Sequence, residues 1–418
     1  MEDQEFKKLF QETWDNNPEL GFFGILDKLR NVIDFSELGF KKGQNLTSPK
    51  KGEYYTPRRI SQFVMEFLDD FTCDRVLDPS ANFGELLFPF RGSKREIYGI
   101  DPNSNHAQFV SSIFGSNLHW LVKDSLKSVR EDIEFSFDVI VSNPPIGLKR
   151  EKYEIKNVKK GKTYELKESY GNALILESLK KLDEGGVGLF VVPEGFVHIK
   201  RNESFFNKLN DFGFYIHAAI TVPTEAFSNT SIESLLLIIK KEKVNKVFVG
   251  KLTKDFKVRK SLIKNFRNNS EGEEPQLGAF VPRKNFKAVD KLILKREIEK
   301  RAKRMGLKPF PVSEITESFR STMPHSDFED VPNAIYLSSI TSNKPAAKTF
   351  EEFEGPKGTA IQLILDEEKV YPDYVVNFLN TKLGEQILKL YSPGSTTGRV
   401  PVKNMKEDRP LLKNLGPV

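Results

Sequence analysis

Cysteine is almost missing from this chain. Cys73 is the only one in 418 residues, which excludes an internal disulfide and points to a reducing, cytoplasmic setting. The five scattered histidines give no zinc-ligand spacing with a lone cysteine, so no structural metal is expected. No apolar run approaches the length of a bilayer span. The stretch SIESLLLII (231–239) has the length of a buried strand, and no membrane is expected as a partner. The opening MEDQEFKKLF is polar and charged, unlike a secretory leader. Internal repeats and low-complexity tracts are absent as well, which sets aside solenoids and arrays.

What is present is an ordinary globular composition, 38% hydrophobic and 29% charged, in a chain long enough for two or three units. Its charge is unevenly placed. Residues 240–308 hold 22 Lys/Arg against 8 Asp/Glu, a net +14, so the rest of the chain sums to −8. Such a block suits phosphate contacts along a nucleic acid. A solvated helix face is the plainer reading of the same charges.

Apolar positions at helical spacing predict two short helices in residues 5–35, built on Phe6, Leu9, Phe10, Trp14 and then Phe22, Ile25, Leu26, Leu29, Ile33. The polar stretch 41–53 reads as a loop, and Thr56-Pro57 opens an amphipathic helix over 60–71. From Arg75 the pattern alternates. Strands are predicted at 75–79, 97–101, 119–124, 137–143, 186–193, 214–222, 234–241 and 246–250. Helices fall between them at 85–90, 103–115, 171–183 and 203–211. This alternation predicts an α/β protein with a doubly wound, mostly parallel sheet. A loop at 265–275 leads to a charged helix at 286–306. Beyond it, short strands and turns dominate, apart from one helix at 373–391. The expected domains are therefore an N-terminal helical segment 1–51, an α/β domain 52–306 and an α+β domain 307–418.

Open α/β sheets bind ligands at the carboxyl ends of their strands, and the distinctive residues fall there. The first strand ends at Asp78 and turns through Pro79, Ser80, Ala81, Asn82, Phe83 and Gly84 into the next helix. That loop lets a nucleoside ligand approach the backbone, with helix N–H groups ahead of it. The second strand ends at Asp101, about where a ribose-hydroxyl acceptor sits in such folds. The third ends at Asp124, able to accept from an adenine amino group. Each acid alone also reads as a helix cap or solvated loop residue. The fourth strand ends in Ser142-Asn143-Pro144-Pro145-Ile146-Gly147. Two prolines make a rigid extended turn whose carbonyls lack local N–H competitors. Together with the Asn side-chain oxygen, such a turn can accept both hydrogens of an exocyclic amine.

These segments carry a resemblance. GEYYTPRRI (52–60), DPSANFG (78–84), GID (99–101), KDSL (123–126), FDVIVSNPPIG (137–147) and GLFVVPEGF (188–196), in this order, resemble the motifs of the N6-adenine DNA methylase family. The resemblance is to the modification subunits of type I restriction-modification systems and their fused relatives. Residues 220–242 resemble the later strands of that family, and coverage runs from about 52 to 250. The resemblance implies a Rossmann-like fold dependent on S-adenosylmethionine (SAM). Tyr55, Thr56 and Pro57 match the motif bordering the methionine part of SAM. Asp78, Pro79, Ser80, Asn82 and Gly84 match the main SAM-binding turn, Asp101 the ribose contact and Asp124 the adenine contact. Asn143 and Pro144 match the grip on the target adenine, and Pro145 and Ile146 complete that catalytic turn; Asn143 also borders the cofactor.

Two positions depart from the family pattern. Asn82 replaces a glycine, and Asn is the residue best able to keep a left-handed turn. Ile146 stands where an aromatic ring stacks on the flipped base, a contact of about 1–3 kcal/mol. Tyr153, Tyr164 and Tyr170 downstream are candidate substitutes. The tail segments 310–322, 333–341 and 374–407 resemble a target-recognition domain of type I specificity subunits, with Pro393-Gly394-Ser395-Thr396-Thr397-Gly398 as its turn signature; a mixed capping domain is the alternative. The chain ends soon after this signature, without a long spacer helix, as expected of a truncated chain or one that needs a partner. The implied partners are double-stranded DNA and restriction or specificity subunits. A catalytically weakened or silent SAM-fold DNA-binding protein is the alternative function, and an enzyme acting on protein glutamine or RNA a third.

Overall fold

The computed structural model describes residues 3–30, 32, 56–145, 150–157, 162–193, 200–223, 226, 234–272, 274–283, 289–306, 308–310, 312–321, 328–339, 344–356, 359–391 and 411–413. The chain forms two compact units: residues 1–272 with 276–287, and residues 273–275 with 288–418.

The first unit begins with α1 (Asp3–Asn16) and α2 (Phe22–Arg30), the two expected helices. They share the core of the sheet that follows and belong to its unit. Phe6, Phe10 and Trp14 lie one helical turn apart, so all three bury on one face. Helix α3 (Arg58–Leu68) starts directly after Pro57. At its first turn the Arg58 guanidinium donates to the carbonyls of Trp14 (2.7 Å) and Asn17 (3.0 Å) and lies over the Trp14 ring. The end of α1 thereby fixes where the Thr56-Pro57 turn begins.

The remaining elements of this unit are β1 (Arg75–Asp78), β2 (Glu96–Ile100), α4 (Ser104–Ile113), β3 (Leu118–Leu121), α5 (Ser125–Glu131), β4 (Phe137–Ser142), β5 (Arg150–Asn157), β6 (Lys162–Ser169), α6 (Tyr170–Leu179), β7 (Leu182–Pro193), α7 (Lys200–Asp211), β8 (Tyr215–Val222), β9 (Ser234–Lys240), β10 (Lys246–Lys251), α8 (Phe256–Arg267) and β11 (Ala279–Pro282). Nine strands make one sheet in the order β11-β10-β8-β9-β7-β4-β1-β2-β3. Pairings from β3 through β7 are parallel, as is β8 with β10, while β9 runs against both β7 and β8 and β11 against β10. The sheet is mostly parallel, as expected. Strands β4, β8 and β9 are buried almost end to end, which is why they read as unbroken apolar runs. The chain leaves β1 towards β2 and β3 and returns to β4 on its other side. That reversal opens a crevice at the carboxyl ends of β1 and β4.

One expected helix is missing. Residues 82–87 form consecutive turns, and Phe88–Phe90 is a single 3-10 turn. Pro89 has no N–H to continue a helix. Phe88 is instead held edge-on against Phe22 (4.8 Å) and Trp14 (4.9 Å) from the N-terminal helices. No α-helix N-terminus therefore follows the first loop. The β5–β6 hairpin, helix α8 and strand β11 went unread in the sequence. Helix α8 packs on α3 through Arg259, whose guanidinium grips the Glu66 carboxylate at 2.6 and 2.8 Å with both side chains largely buried.

The second unit contains α9 (Val289–Arg304), β12 (Lys308–Phe310), β13 (Thr316–Ser321), β14 (Ala334–Ser338), β15 (Ala346–Ala347), β16 (Ala360–Leu365), α10 (Pro372–Leu379), α11 (Lys382–Tyr391) and β17 (Leu411–Lys413). Its antiparallel sheet has the order β13-β16-β14-β15. Ile298 and Ala302 of α9 bury with Ile335, Leu363 and Ile387, so the charged helix groups with the C-terminal unit and the division falls near 288 instead of 307. The helix expected at 373–391 is two helices. Asn380 breaks it by pairing its side-chain amide with both backbone groups of Ala346 on β15 (2.9 and 3.0 Å).

Removing one partner of the α3–α8 ion pair strands a buried charge. Arg259→Met should destabilise the protein by about 3 kcal/mol in urea unfolding, and Arg259→Met with Glu66→Leu should recover most of that loss. Equal losses in the single and double variants would contradict this account.

Candidate active site at the switch point

Strand β1 delivers Asp78 into the crevice with only 2% of its surface exposed. Its carboxylate accepts from the Ser80 backbone N–H (3.0 Å) and from the Ser142 hydroxyl. Beyond Pro79 the loop is tied to β2 by Ala81 N–H donating to the Ile100 carbonyl (3.0 Å). Asn82 adopts φ +49° and Gly84 φ +76°. Asn82 thus supplies the left-handed turn that a glycine would provide, and a Cβ at Gly84 would press on the Phe114 ring at 3.3 Å. Next in the chain is Glu85, a carboxylate 3% exposed inside an otherwise apolar run. Its Oε1 and the Asn82 Oδ1 are buried without a partner in the protein.

Burial dominates the acidity of this loop. It pushes the Asp78 carboxyl up to about 8, against the Ser80 and Ser142 hydrogen bonds and helped by the nearby Asp101 charge. It also pushes Glu85 up to about 8, again with Asp78 and Asp101 adding to the effect.

Strand β2 places Asp101 beside the same loop. Its carboxylate accepts from the backbone N–H groups of Asn82 (3.2 Å) and Asn103 (2.9 Å) and meets His106 Nδ1 at 2.9 Å. His106 is buried one turn into α4, with its ring 4.2 Å from that of Phe83. Asn103 caps the same helix. Glu85 and His106 are site residues that the sequence reading passed over. A charge inside GELLFPF and a His five positions after Asp101 were the signals available for them.

At the end of β3 Asp124 is exposed and caps α5, accepting from Lys127 N–H (2.8 Å). Its other oxygen accepts from the Tyr170 hydroxyl (3.0 Å), which itself receives the Leu126 N–H. Burial, first, and the Asp124 carboxylate push this phenol up to about 12. Tyr170 is thus engaged with Asp124. Tyr153 and Tyr164 sit on the β5–β6 hairpin in register with Leu166 and Ile155.

Strand β4 brings the Asn-Pro-Pro turn to the same place. Ser142 and Ser80 hydroxyls lie 2.6 Å apart, and Ser80 Oγ donates to the Asn143 carbonyl at 3.2 Å. The Asn143 side chain donates through Nδ2 to Thr56 Oγ1 at 3.3 Å. Thr56, Pro57 and Pro144 are buried, and Pro145 is half-buried. Behind the turn stands Gly171 of α6, so near that a Cβ there would lie 2.9 Å from the Pro145 carbonyl oxygen. Of the expected site, Thr56, Asp78, Ser80, Asn82, Asp101 and Asn143 come together in one crevice. Asp124 stands at the neighbouring strand tip, while Tyr55 and Ile146 lie outside the described residues. Among the described residues no group of three His, Cys, Asp or Glu side chains is arranged to hold a metal ion, and no helix is long and apolar enough to cross a membrane.

Comparison with known proteins gives the lineage of this arrangement. Residues 40–303, well over half of the chain, match the family described as N-6 DNA Methylase. The type I restriction enzyme MpnII methylase subunit of Mycoplasma pneumoniae is 24% identical over 225 residues, which are 47% of this chain and 41% of that protein. The type II methyltransferase M.CvrRI of Paramecium bursaria Chlorella virus XZ-6E is 24% identical over 242 residues, 55% of this chain and 56% of that one. The chain thus spans about half the length of these curated relatives. The type IIG restriction endonuclease BpuSI shares the fold with TM-score 0.51 and 13% identity, over 88% of this chain and 59% of its own. A type I restriction-modification methyltransferase subunit from Streptococcus thermophilus gives TM-score 0.48 and 19% identity over 57% of each chain. This chain belongs to the N-6 DNA methylase family, whose members are SAM-dependent methyltransferases.

Proposed function

We propose that the chain is a site-specific DNA adenine-N6 methyltransferase of a restriction-modification system, acting on an adenine flipped out of duplex DNA. The observation that carries this reading is the Ser80 hydroxyl, which joins the loop after β1 to the Asn143 carbonyl at the end of β4. One group thereby sets the spacing between the cofactor side and the target-base side of the crevice.

The residues fit SAM. A cationic ligand suits Asp78 and Glu85 with Asp101 beside them, since burial holds the first two up to about 8 and a cation favours their ionised forms. The unpartnered Glu85 Oε1 and Asn82 Oδ1 offer acceptors that the protein leaves unused. Asp101 would take the ribose hydroxyls, held in place by Asn82, Asn103 and His106. Thr56 and Pro57, with Tyr55 before them, would border the methionine end, and Asp124 the adenine amine. When bound, SAM supplies an electrophilic methyl group on a cationic sulfur.

The target adenine leaves the stack at a cost of a few kcal/mol. Thr56 holds the donor end of the Asn143 amide, which orients the oxygen of that amide as an acceptor. The Asn143 oxygen and the Pro144 carbonyl accept the two N6 hydrogens and direct the nitrogen lone pair. Positioning and fixed dipoles supply the rate gain, without a shifted catalytic base. The second unit is the target-recognition module, whose loops read base edges. Separate restriction or specificity subunits complete the system. Asn82 holds the left-handed turn, which supports the active over the silent reading.

Long-read methylation mapping in a methylation-free host expressing the chain tests the whole reading. N6-methyladenine at one sequence motif is expected. A protein that binds SAM and duplex DNA but leaves no modified base would instead be the silent form. Asn143→Ala should lower kcat by about 100-fold or more and change the SAM Kd only a few-fold. An equal loss in SAM affinity would assign Asn143 to the cofactor alone.

Proton release gives an independent check. From the ordinary carboxylate range up to about 8, the ligand-free folded protein keeps protons on Asp78 and Glu85 that the unfolded chain has lost. Its stability should therefore fall as pH rises through that window. A bound cation favours the ionised acids, so SAM binding at pH 7 should release protons and tighten towards pH 8. Calorimetry in buffers of different ionisation enthalpy reads this directly, and Glu85→Gln should reduce the release. Binding without proton exchange would remove these acids from the cofactor site.

A further inference from the structure

The basic block divides between the units. Helix α9 lies in the second, where Lys300 and Arg304 both meet Glu274. Helix α8 lies in the catalytic unit and is different in kind. Its sequence, FKVRKSLIKNFR, contains no acidic residue. Its exposed positions are Phe256, Lys257, Lys260, Ser261, Lys264 and Arg267. They fall on one continuous arc, opposite the buried Arg259, Leu262 and Ile263. Among the described residues, carboxylates pair with Arg259 and Arg267 of this helix, through Glu66 and Asp70 of the α3 region. Among the described residues, Lys254, Lys257, Lys260 and Lys264 form no ion pair. A merely solvated helix face mixes both signs, and like charges at i,i+3 and i,i+4 destabilise a helix. Here the Asp255 cap is the acid beside these lysines, and it is engaged with the helix backbone.

Its position is informative. Strand β10 runs parallel to β8, and both β8 and β7 run against β9. Because β7 is parallel to β4, β10 ends on the same sheet edge as Asn143. Lys251, Lys254 and the N-terminus of α8 therefore stand on the edge that holds the crevice; the Asp255 carboxylate caps the first turn there, accepting from the Lys257 and Val258 N–H groups, so the positive charge comes from the lysines. From β4 to β10 the sheet steps through β7, β9 and β8, roughly 19 Å at about 4.8 Å per strand. At about 3.4 Å per nucleotide that is some five or six base pairs.

We propose that the lysine face of α8, with Lys251, is a phosphate-contact surface for duplex DNA about half a helical turn from the flipped base. This rests on the reading of the chain as a DNA methyltransferase. The exposed ring of Phe256, with Lys260 Nζ 4.7 Å from its centroid, braces the lysines at the end facing the crevice.

The test uses the full chain with Lys254, Lys257, Lys260 and Lys264 all changed to Gln, and a second variant with all four changed to Arg. Binding of a labelled mixed-sequence duplex is followed by anisotropy from 50 to 200 mM salt, and SAM binding is measured in parallel. The Gln variant should lose about 3 to 4 from the slope of log K against log salt. Its SAM affinity should stay within two-fold of wild type, and the Arg variant should keep the wild-type slope. An unchanged slope in the Gln variant, with wild-type duplex binding intact, overturns this surface and leaves the proposed function standing. Wild-type protein that binds SAM but no duplex, or that prefers double-stranded RNA, overturns both.

Discussion

Burying the Asp78 carboxylate is the constraint from which the rest of the site follows. An acid removed from water needs donors nearby or must keep its proton. Here the donors come from two directions: the Ser80 backbone in its own loop and the Ser142 hydroxyl at the tip of the adjacent strand. Ser80 then spends its side chain on the same junction, reaching Ser142 and the Asn143 carbonyl. The two loops that flank the switch point are therefore drawn together by one solvation problem. Their spacing is fixed by hydroxyl groups before any ligand arrives.

The surrounding elements hold that junction in place. Arg58 locks the start of α3 to the end of α1, which sets Thr56 within reach of Asn143. The aromatic cluster of Phe10, Trp14, Phe22 and Phe88 holds the far end of the first loop in place of a helix. Short loops at an open sheet edge are ordinarily mobile. The loop after β1 is tied at both ends to buried side chains, and the start of the Asn-Pro-Pro turn is joined to it through Ser80.

Much of this was legible in the sequence because the physics is local. Strands buried on both faces must be apolar throughout, so β4, β8 and β9 announced themselves, and the tips of β1, β2 and β4 located Asp78, Asp101 and Asn143. The left-handed Asn82 followed from residue type alone. Other features depend on partners distant in the chain. The β5–β6 hairpin alternates charged with apolar residues and resembles solvated loop. In α8 a buried Arg259 interrupts the apolar stripe, and Glu66 on α3, with the Thr253 and Lys254 carbonyls, makes that arginine an interior residue. Asn380 ends a helix because Ala346, 34 positions earlier, claims its amide. His106 and Glu85 were visible as residues but not as site members, since their burial arises only when β2 and the first loop meet.

The approach of Gly171 to Pro145 bears on how this protein can change over generations. A hydrogen is the only substituent that the neighbouring carbonyl oxygen admits without giving way. Even alanine, harmless at most helix starts, would push back the turn that carries Asn143 while leaving the core intact. What constrains that position is thus an atom that is not there, since any side chain must displace the Asn-Pro-Pro turn.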